Sequence, residues 1–295
     1  MLSLHQLRTF LEVARTGSVH AAAERLVVSQ PAVSAALAAL QRELGVSMLE
    51  RQGRGLRLTD AGREVENLGR RLFALLDELE SRARTAGRPG AGWLRLGVVT
   101  TAAEHLVPAL LAAFRDRHPQ ITVDLEVANR ARTWDRLAHG EIDLALGGRP
   151  PLDRDFASLA TCPNELVVVS APNARAAGEP LHRATWLLRE PGSGTRSAME
   201  EFLALLDAAP PRLTIGSNGA IRECVRIGLG LSLLPRDAVA RDLDAGTLAV
   251  IPTPFTPISR PWHLVCRAHE APAPAAARFI EHACGTLFAA GPAAS

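Results

Sequence analysis

Two short helices separated by a tight break are the most constraining feature of the sequence, and they lie between Ser18 and Leu44. Ser18 and Ser29 each precede apolar residues at helical spacing, and a serine hydroxyl can accept a hydrogen bond from a free N–H of the first turn. Pro31 falls in the first turn of the second helix, where its missing N–H costs nothing. Gly45 is suited to end that helix. Its buried face is predicted to consist of Val33, Leu37, Leu40 and Leu44.

The opposite face of the second helix carries small or polar and mostly uncharged side chains: Gln30, Ser34, Ala35 and Ala38. Such a face can approach the edges of bases closely. A glutamine amide can pair with adenine through two hydrogen bonds, and alanine methyls can contact the methyl group of thymine. The pattern predicts a helix-turn-helix whose second helix lies in the major groove of DNA. Taken alone, it also fits two packed helices of an ordinary all-α protein.

A basic hairpin is expected directly after these helices, with strands at 48–51 and 56–58 around a glycine-rich turn. Three arginines on such a wing can contact phosphates or enter a narrow minor groove. The alternative is a solvated hairpin with no partner. The residues predicted to contact DNA are Ser18, Ser29, Gln30, Pro31, Ala32, Ser34, Ala35, Ala38, Arg51, Arg54 and Arg57.

A long helix is predicted from Thr59 to about Gly87, with apolar residues spaced by three and four as in a coiled coil. Its length of about 40 Å leaves a leucine seam that needs a partner. We expect this partner to be a second copy of the chain, although packing against the chain's own C-terminal domain is the alternative. The seam consists of Val65, Leu68, Leu72, Leu75 and Leu79.

The runs AAERLVVSQPAVSAAL and LGVSMLERQGRGLRLTDAG resemble the N-terminal domain of LysR-type transcriptional regulators. The order of segments agrees with that family along the whole chain. The resemblance implies a dimer or tetramer that binds double-stranded promoter DNA and responds to a small-molecule effector. RNA polymerase is a candidate partner.

Beyond a Gly- and Pro-rich hinge, apolar strands alternate with helices, which predicts parallel sheets covered by helices on both faces. We expect two Rossmann-like subdomains joined by two crossovers. This arrangement resembles the effector domain of the LysR family, itself similar to type 2 periplasmic binding proteins. The predicted divisions are a winged helix-turn-helix at 1–58, a linker helix at 59–87, a hinge at 88–92 and an effector domain at 93–295. Subdomain I covers about 93–161 and 262–295, and subdomain II about 162–261.

Polar residues follow several predicted strands of this α/β region. Ligands of open parallel sheets bind beyond the carboxyl ends of strands, and free N–H groups at helix starts attract anions. We therefore predict a cleft for a small anionic effector, although several of these residues would serve equally as helix caps. The run REPGSGTR resembles the LysR-type branch that regulates carbon fixation and sulfite or cysteine metabolism. The predicted ligand residues are Thr100, Thr101, Asn129, Ser193, Thr195, Arg196 and Asn218.

The composition and the absence of certain motifs reduce the number of possible functions. The net charge is only +2, so DNA binding would depend on local arginines. The four cysteines form no CxxC pair, which favours reduced thiols, and no metal or cofactor is expected. No signal segment or run of about 18 apolar residues occurs, so we expect a cytoplasmic protein without a membrane partner. No catalytic motif is found. A solute-binding protein of a transport system and an enzyme with an appended DNA-binding module are the two alternatives.

Overall fold

A computed structural model describes residues 2–53, 55–85, 90–173, 181–207, 209–268 and 270–290. The chain divides into two compact units. The first is built from residues up to 86 together with 139–141, and the second from 87–138 and 142–295.

Three helices form the core of the first unit, and their bounds follow from local capping. α1 begins after Ser3, whose side chain forms a capping box with Gln6, and it ends at a left-handed Gly17. Ser18 and Ser29 cap the next two helices, as the sequence predicts. The helices are α1 (Leu4–Thr16), α2 (Val19–Leu26) and α3 (Gln30–Leu44). Their common core includes Leu7, Phe10, Val13, Ala22, Val33, Leu37, Leu40 and Met48.

The turn between α2 and α3 contains an unusual backbone conformation. Val27 ends α2 with φ of 56°, in the left-handed region, and its side chain is 89% exposed. A β-branched residue is disfavoured there because its Cβ crowds the backbone. The β-branched pair Val27-Val28 is unfavourable in a helix and agrees with its end here, but the left-handed cap is visible only in the structure.

A two-stranded hairpin follows, formed by β1 (Leu49–Gln52) and β2 (Gly55–Leu58), with Leu49 opposite Leu58. The long helix α4 (Asp60–Thr85) then packs closely against the start of the hairpin. Gly62 makes this approach possible, since a Cβ at that position would lie 2.0 Å from the carbonyl oxygen of Met48. Residues 86 and 87, at the predicted end of this helix, lie outside the described residues, as do 88 and 89 of the predicted hinge.

The predicted seam of α4 is not equally exposed along its length. Val65 is partly buried and packs against the core of the first unit. The four leucines that follow are exposed by 36 to 64%: Leu68, Leu72, Leu75 and Leu79.

Six strands form the main sheet of the second unit, in the order β14-β6-β13-β5-β3-β4. The expectation of parallel sheets is correct for β3 beside β4 and β5. It is wrong for β13, which lies antiparallel to β5 and β6, because the chain enters this strand from the other subdomain in the reverse direction. The strands are β3 (Gly92–Val99), β4 (Ile121–Ala128), β5 (Leu144–Gly147), β6 (Phe156–Cys162), β13 (Trp262–Arg267) and β14 (Ala289–Ala290).

Helices cover this sheet on both faces, which agrees with the nearly continuous burial of β3 and β5. Leu94, Leu96 and Val98 contribute to a core with the helices Val107–Arg117 and Pro274–Cys284, whereas Ala145 and Val265 face a second core with the helix Arg130–Ala138. The helical segment that follows β3 is divided in two at Leu106, because Pro108 cannot donate a helical hydrogen bond. The helices are α5 (Thr100–His105), α6 (Val107–Arg117), α7 (Arg130–Ala138) and α11 (Pro274–Cys284).

The remaining strands form the other subdomain, centred on β7 (Glu165–Ser170). β7 pairs antiparallel with β10 (Ser232–Pro235), β11 (Ala249–Ile251) and β12 (Ile258–Ser259), which again departs from the parallel expectation. β8 and β9 are parallel. Two cores lie on opposite faces of β7. The other elements are β8 (Trp186–Leu188), α8 (Gly194–Leu205), β9 (Arg212–Thr214), α9 (Asn218–Arg226), a 3₁₀ turn (Asp237–Val239) and α10 (Ala240–Asp244).

Among the described residues, no helix is both long and apolar enough to cross a membrane. The same part of the chain contains no group of three or more histidine, cysteine or acidic side chains placed to hold a metal ion. All four cysteines are free thiols. Burial raises the pKa of both Cys162 and Cys266, which keeps these two thiols protonated.

Candidate functional site

The outer face of α3 is exposed to solvent. The structure leaves all its predicted contact residues open to solvent: Gln30, Pro31, Ala32, Ser34, Ala35 and Ala38. The opposite side of the helix, at Val33, Leu37 and Leu40, is buried in the core. Between residues 30 and 38 no exposed side chain is larger than glutamine, so this half of the helix can enter a groove about 12 Å wide without steric conflict.

Ser18 and Ser29 cap the N-termini of α2 and α3. The Ser18 hydroxyl accepts a hydrogen bond from the N–H of Ala21 at 3.3 Å, and the Ser29 hydroxyl accepts one from Ala32 at 3.4 Å. Each hydroxyl keeps its proton available for a second partner. The two serines therefore act as helix caps whose hydroxyl protons could also be donated to phosphate.

The wing carries less free positive charge than the sequence suggests. Arg57 is paired across the hairpin with Glu50, and its Nε donates to Oε1 at 2.9 Å. Arg51 is exposed and forms no ion pair with any other described residue. Arg54, the predicted tip residue, lies outside the described residues. Among the described wing residues, Arg51 is thus the cation best placed for a phosphate.

A cleft in the second unit collects polar groups from both subdomains. It has an empty volume of about 540 Å³ and opens to solvent. Its lining includes the start of α5, the residues after β4 and the first turn of α8, together with both crossover segments. Five of the predicted ligand residues line this cleft: Thr100, Thr101, Asn129, Ser193 and Thr195.

Two other predicted ligand residues do not line the cleft. Arg196 donates from Nε to Glu200 at 2.8 Å and from Nη1 to the carbonyl of Arg189 at 3.1 Å, so it supports the backbone next to the cleft. Asn218 is buried at the start of α9, and its Nδ2 donates to the hydroxyl of Thr101 at 2.5 Å. Both residues therefore support neighbouring cleft residues, and their contact with a ligand stays a prediction.

Three arginines reach the cleft, and none was among the predicted ligand residues: Arg130, Arg189 and Arg260. Burial and the neighbouring Arg260 together lower the pKa of Arg130, which indicates excess positive charge in a partly desolvated site. Arg130 donates only to the carbonyl oxygen of Arg149 in the described structure. An anion beside Arg130 would relieve this electrostatic cost.

Arg189 differs from the other two because it is almost fully buried. Its Nε and Nη2 donate to the carboxylate of Glu190 at 2.8 and 3.0 Å. Burial raises the pKa of Glu190, but the hydrogen bonds from Arg189, the backbone and Asn129, together with the charge of Arg189, outweigh this effect and the pKa is lowered. The pair is therefore ionised, and Glu190 neutralises most of the charge of Arg189.

The loop before α8 brings the two sides of the cleft together. The N–H of Ala131, in α7, donates to the carbonyl of Gly192 at 3.2 Å. Gly192 has φ of 86°, a conformation suited to glycine, and a Cβ on Gly194 would lie 3.1 Å from Cδ of Arg130. Gly194 therefore leaves room for Arg130. In the sequence, the glycines of this loop are the feature that indicates this side of the cleft.

A basic winged helix-turn-helix joined to a two-subdomain domain with a cationic cleft defines a class: DNA-binding regulators that respond to a small ligand. Residues 4–63 match the family model of the bacterial regulatory helix-turn-helix protein, lysR family, and residues 87–285 match that of the LysR substrate binding domain. The chain belongs to the LysR family of transcriptional regulators.

Curated relatives agree with this membership. The chain is 37% identical over 287 residues to the RuBisCO operon transcriptional regulator of Allochromatium vinosum, covering 95% of each chain. It is 33% identical over 292 residues to the transcriptional activator CmpR of Synechocystis, covering 95% of this chain and 94% of the relative.

Solved structures share the fold. Full-length CbnR, a LysR family transcriptional regulator, has a TM-score of 0.66 and 24% identity over 95% of this chain and 98% of its own. The regulatory domain of Synechocystis CcmR in complex with 2-PG has a TM-score of 0.62 and 28% identity, covering 66% of this chain and 97% of that domain. These similarities confirm the predicted two-subdomain architecture of the effector domain.

Proposed function

We propose that the cleft binds a small anionic effector, and that this binding modulates the affinity of the protein for promoter DNA. The observation that carries the proposal is the Arg130 guanidinium, which lies partly buried beside Arg260 and has a lowered pKa. Ligand anions form charge-assisted hydrogen bonds with such groups. Thr100, Thr101, Ser193 and Thr195 would complete the site with hydroxyl and backbone donors.

The similarity to the CcmR regulatory domain in complex with 2-PG suggests the probe for a first experiment. Calorimetric titration with 2-PG should give saturable binding that Arg130→Gln weakens by about 1.5–3 kcal/mol, or roughly 10- to 150-fold. The matched control is Arg132→Gln, because Arg132 lies two residues further along α7, is largely exposed and does not line the cleft. Equal binding by wild type and Arg130→Gln would contradict the proposed site, and so would equal losses in both variants.

We propose further that α3 reads bases through Gln30 and Ser34, while Arg51 contacts the DNA backbone. The exposure of this face, and the small side chains on it between residues 30 and 38, support the assignment. Replacing Gln30 and Ser34 together by alanine should relax site selection, whereas Arg51→Ala should weaken binding evenly across sequences. Competition binding on matched and scrambled duplexes separates the two effects. Unchanged selectivity in the double variant would refute this docking face.

The same function implies a dimer or tetramer in the cytoplasm, where promoter DNA is found. The exposed leucines of α4 offer a surface for a second copy, since a seam of this kind is typical of paired helices. A role as a regulator also fits the curated relatives, which are transcriptional regulators. Turnover of a substrate by the purified protein would favour an enzyme instead.

A further inference from the structure

A chain of three polar side chains links α2 to the first residue of α3. Gln30 Nε2 lies 2.9 Å from His20 Nδ1. On the other side of the imidazole ring, His20 Nε2 lies 3.5 Å from Oε1 of Glu24, one helical turn further along α2. His20 and Glu24 are both well exposed, so this chain contributes little to the core of the unit.

The position of Glu24 determines which ring nitrogen of His20 carries the proton. A carboxylate next to Nε2 favours the tautomer with the proton on Nε2, and Nδ1 is then an acceptor. An acceptor at Nδ1 can bond only to the amide nitrogen of Gln30, because the amide oxygen has no proton to donate. The orientation of the Gln30 amide is therefore set by Glu24 through His20.

We propose that His20 is a positioning residue for base reading by Gln30. This inference rests on the proposed role of Gln30 as a base contact. With one N–H held by His20, the Oε1 acceptor and the second N–H of the amide keep fixed places on the outer face of α3. Adenine presents an N6–H donor beside the N7 acceptor in the major groove, which is the complementary pair. A free amide could turn over and exchange its donor and acceptor.

The experiment measures base discrimination by the full-length protein. A duplex is first selected from a random library with wild-type protein, and single-base variants of it are then titrated at one salt concentration. Gln30→Ala identifies the base pair that Gln30 reads. At that position, His20→Ala should reduce the discrimination ratio by about 3-fold or more, within the roughly 2- to 150-fold range of coupled neighbours. Ratios at the other positions should not change.

Three further variants make the test specific. His20→Ala added to Gln30→Ala should have no further effect on discrimination, because the two residues act as one unit. His20→Asn, which keeps an acceptor close to the place of Nδ1, should restore part of the ratio. His5→Ala is the matched control, since His5 is an exposed histidine on α1 and should leave every ratio as in wild type.

The outcomes distinguish a failure of the proposed base contact by Gln30 from a failure of the positioning role of His20. If Gln30→Ala leaves all ratios unchanged, the proposed base contact fails and the present inference fails with it. If Gln30→Ala removes discrimination but His20→Ala does not, only the positioning role is overturned. A uniform loss of affinity in His20→Ala, also present in the Gln30→Ala background, would identify a phosphate contact and overturn the inference as well.

Discussion

At the scale of single residues, Val27 has a β-branched side chain that is disfavoured in its left-handed backbone conformation. Its left-handed conformation is imposed by the turn of the helix-turn-helix, and its exposed side chain gains little from packing. Val27→Asn should stabilise the first unit by about 1–2 kcal/mol, because asparagine tolerates this conformation. Hydrogen exchange of the α2 and α3 amides would detect the change as slower exchange.

The neighbouring valine provides the control for this substitution. Val28 is half exposed and has no positive φ, so Val28→Asn should give no increase in protection. Tryptophan fluorescence would not report on either variant, since all four tryptophans lie between residues 93 and 262. Faster exchange in Val27→Asn would mean that the valine side chain has a packing role that its exposure conceals.

A second residue makes the stability of the effector domain depend on pH. His263 lies in β13 with Nδ1 2.9 Å from the hydroxyl of Ser158, and burial together with Arg149 lowers its pKa below 6.5. Above pH 6.5 the ring is neutral in both the folded and the unfolded state. As the pH falls below 6.5, the unfolded state takes up the proton first, and folding stability is lost.

His263→Asn removes this titration while keeping a polar partner for Ser158. The variant should therefore lose less unfolding free energy than wild type between about pH 7 and 5. Urea unfolding followed by tryptophan fluorescence measures the difference, and other titrating groups cancel in the comparison. Parallel pH profiles for the two proteins would exclude His263 as a contributor.

At the scale of helices and strands, the long helix α4 has a seam of leucines that are exposed to solvent in the single chain. Leu75 is 60% exposed, so Leu75→Asp should leave the folded unit intact and destabilise a dimer formed through α4. Sedimentation velocity should show a shift from dimer to monomer. The same change at Leu152, which is 86% exposed and lies outside α4, is the matched control. A Leu75→Asp variant that remains dimeric would refute the role of the seam.

The sequence predicts most elements because their ends depend on local chemistry. Serine caps at Ser18 and Ser29 and the left-handed Gly45 act within one turn, and the structure confirms all three. The direction of β13 depends on where a distant crossover returns, so no local pattern indicates it. The three cleft arginines were missed for the same reason, since Arg130, Arg189 and Arg260 converge only after both subdomains have formed.

At the scale of the whole molecule, the net charge is confined to one region. Residues 1–85 contain 12 arginines and 10 acidic residues, a difference of +2 that equals the charge of the entire chain. The remaining 21 arginines are balanced by 21 acidic residues. The protein as a whole therefore offers DNA almost no long-range attraction, and affinity has to come from a few arginines close to phosphates.

Salt dependence measures how many such contacts exist. The logarithm of the DNA binding constant falls with the logarithm of salt concentration by a slope of about 0.9 per neutralised phosphate. Arg51→Gln should reduce the slope by about 1 per bound protomer without altering base preference. Arg226→Gln is the control, because Arg226 is an exposed arginine of the second unit that is paired with Glu223. An equal reduction in both variants would mean that DNA contacts extend beyond the wing, and the local model of charge would then be wrong.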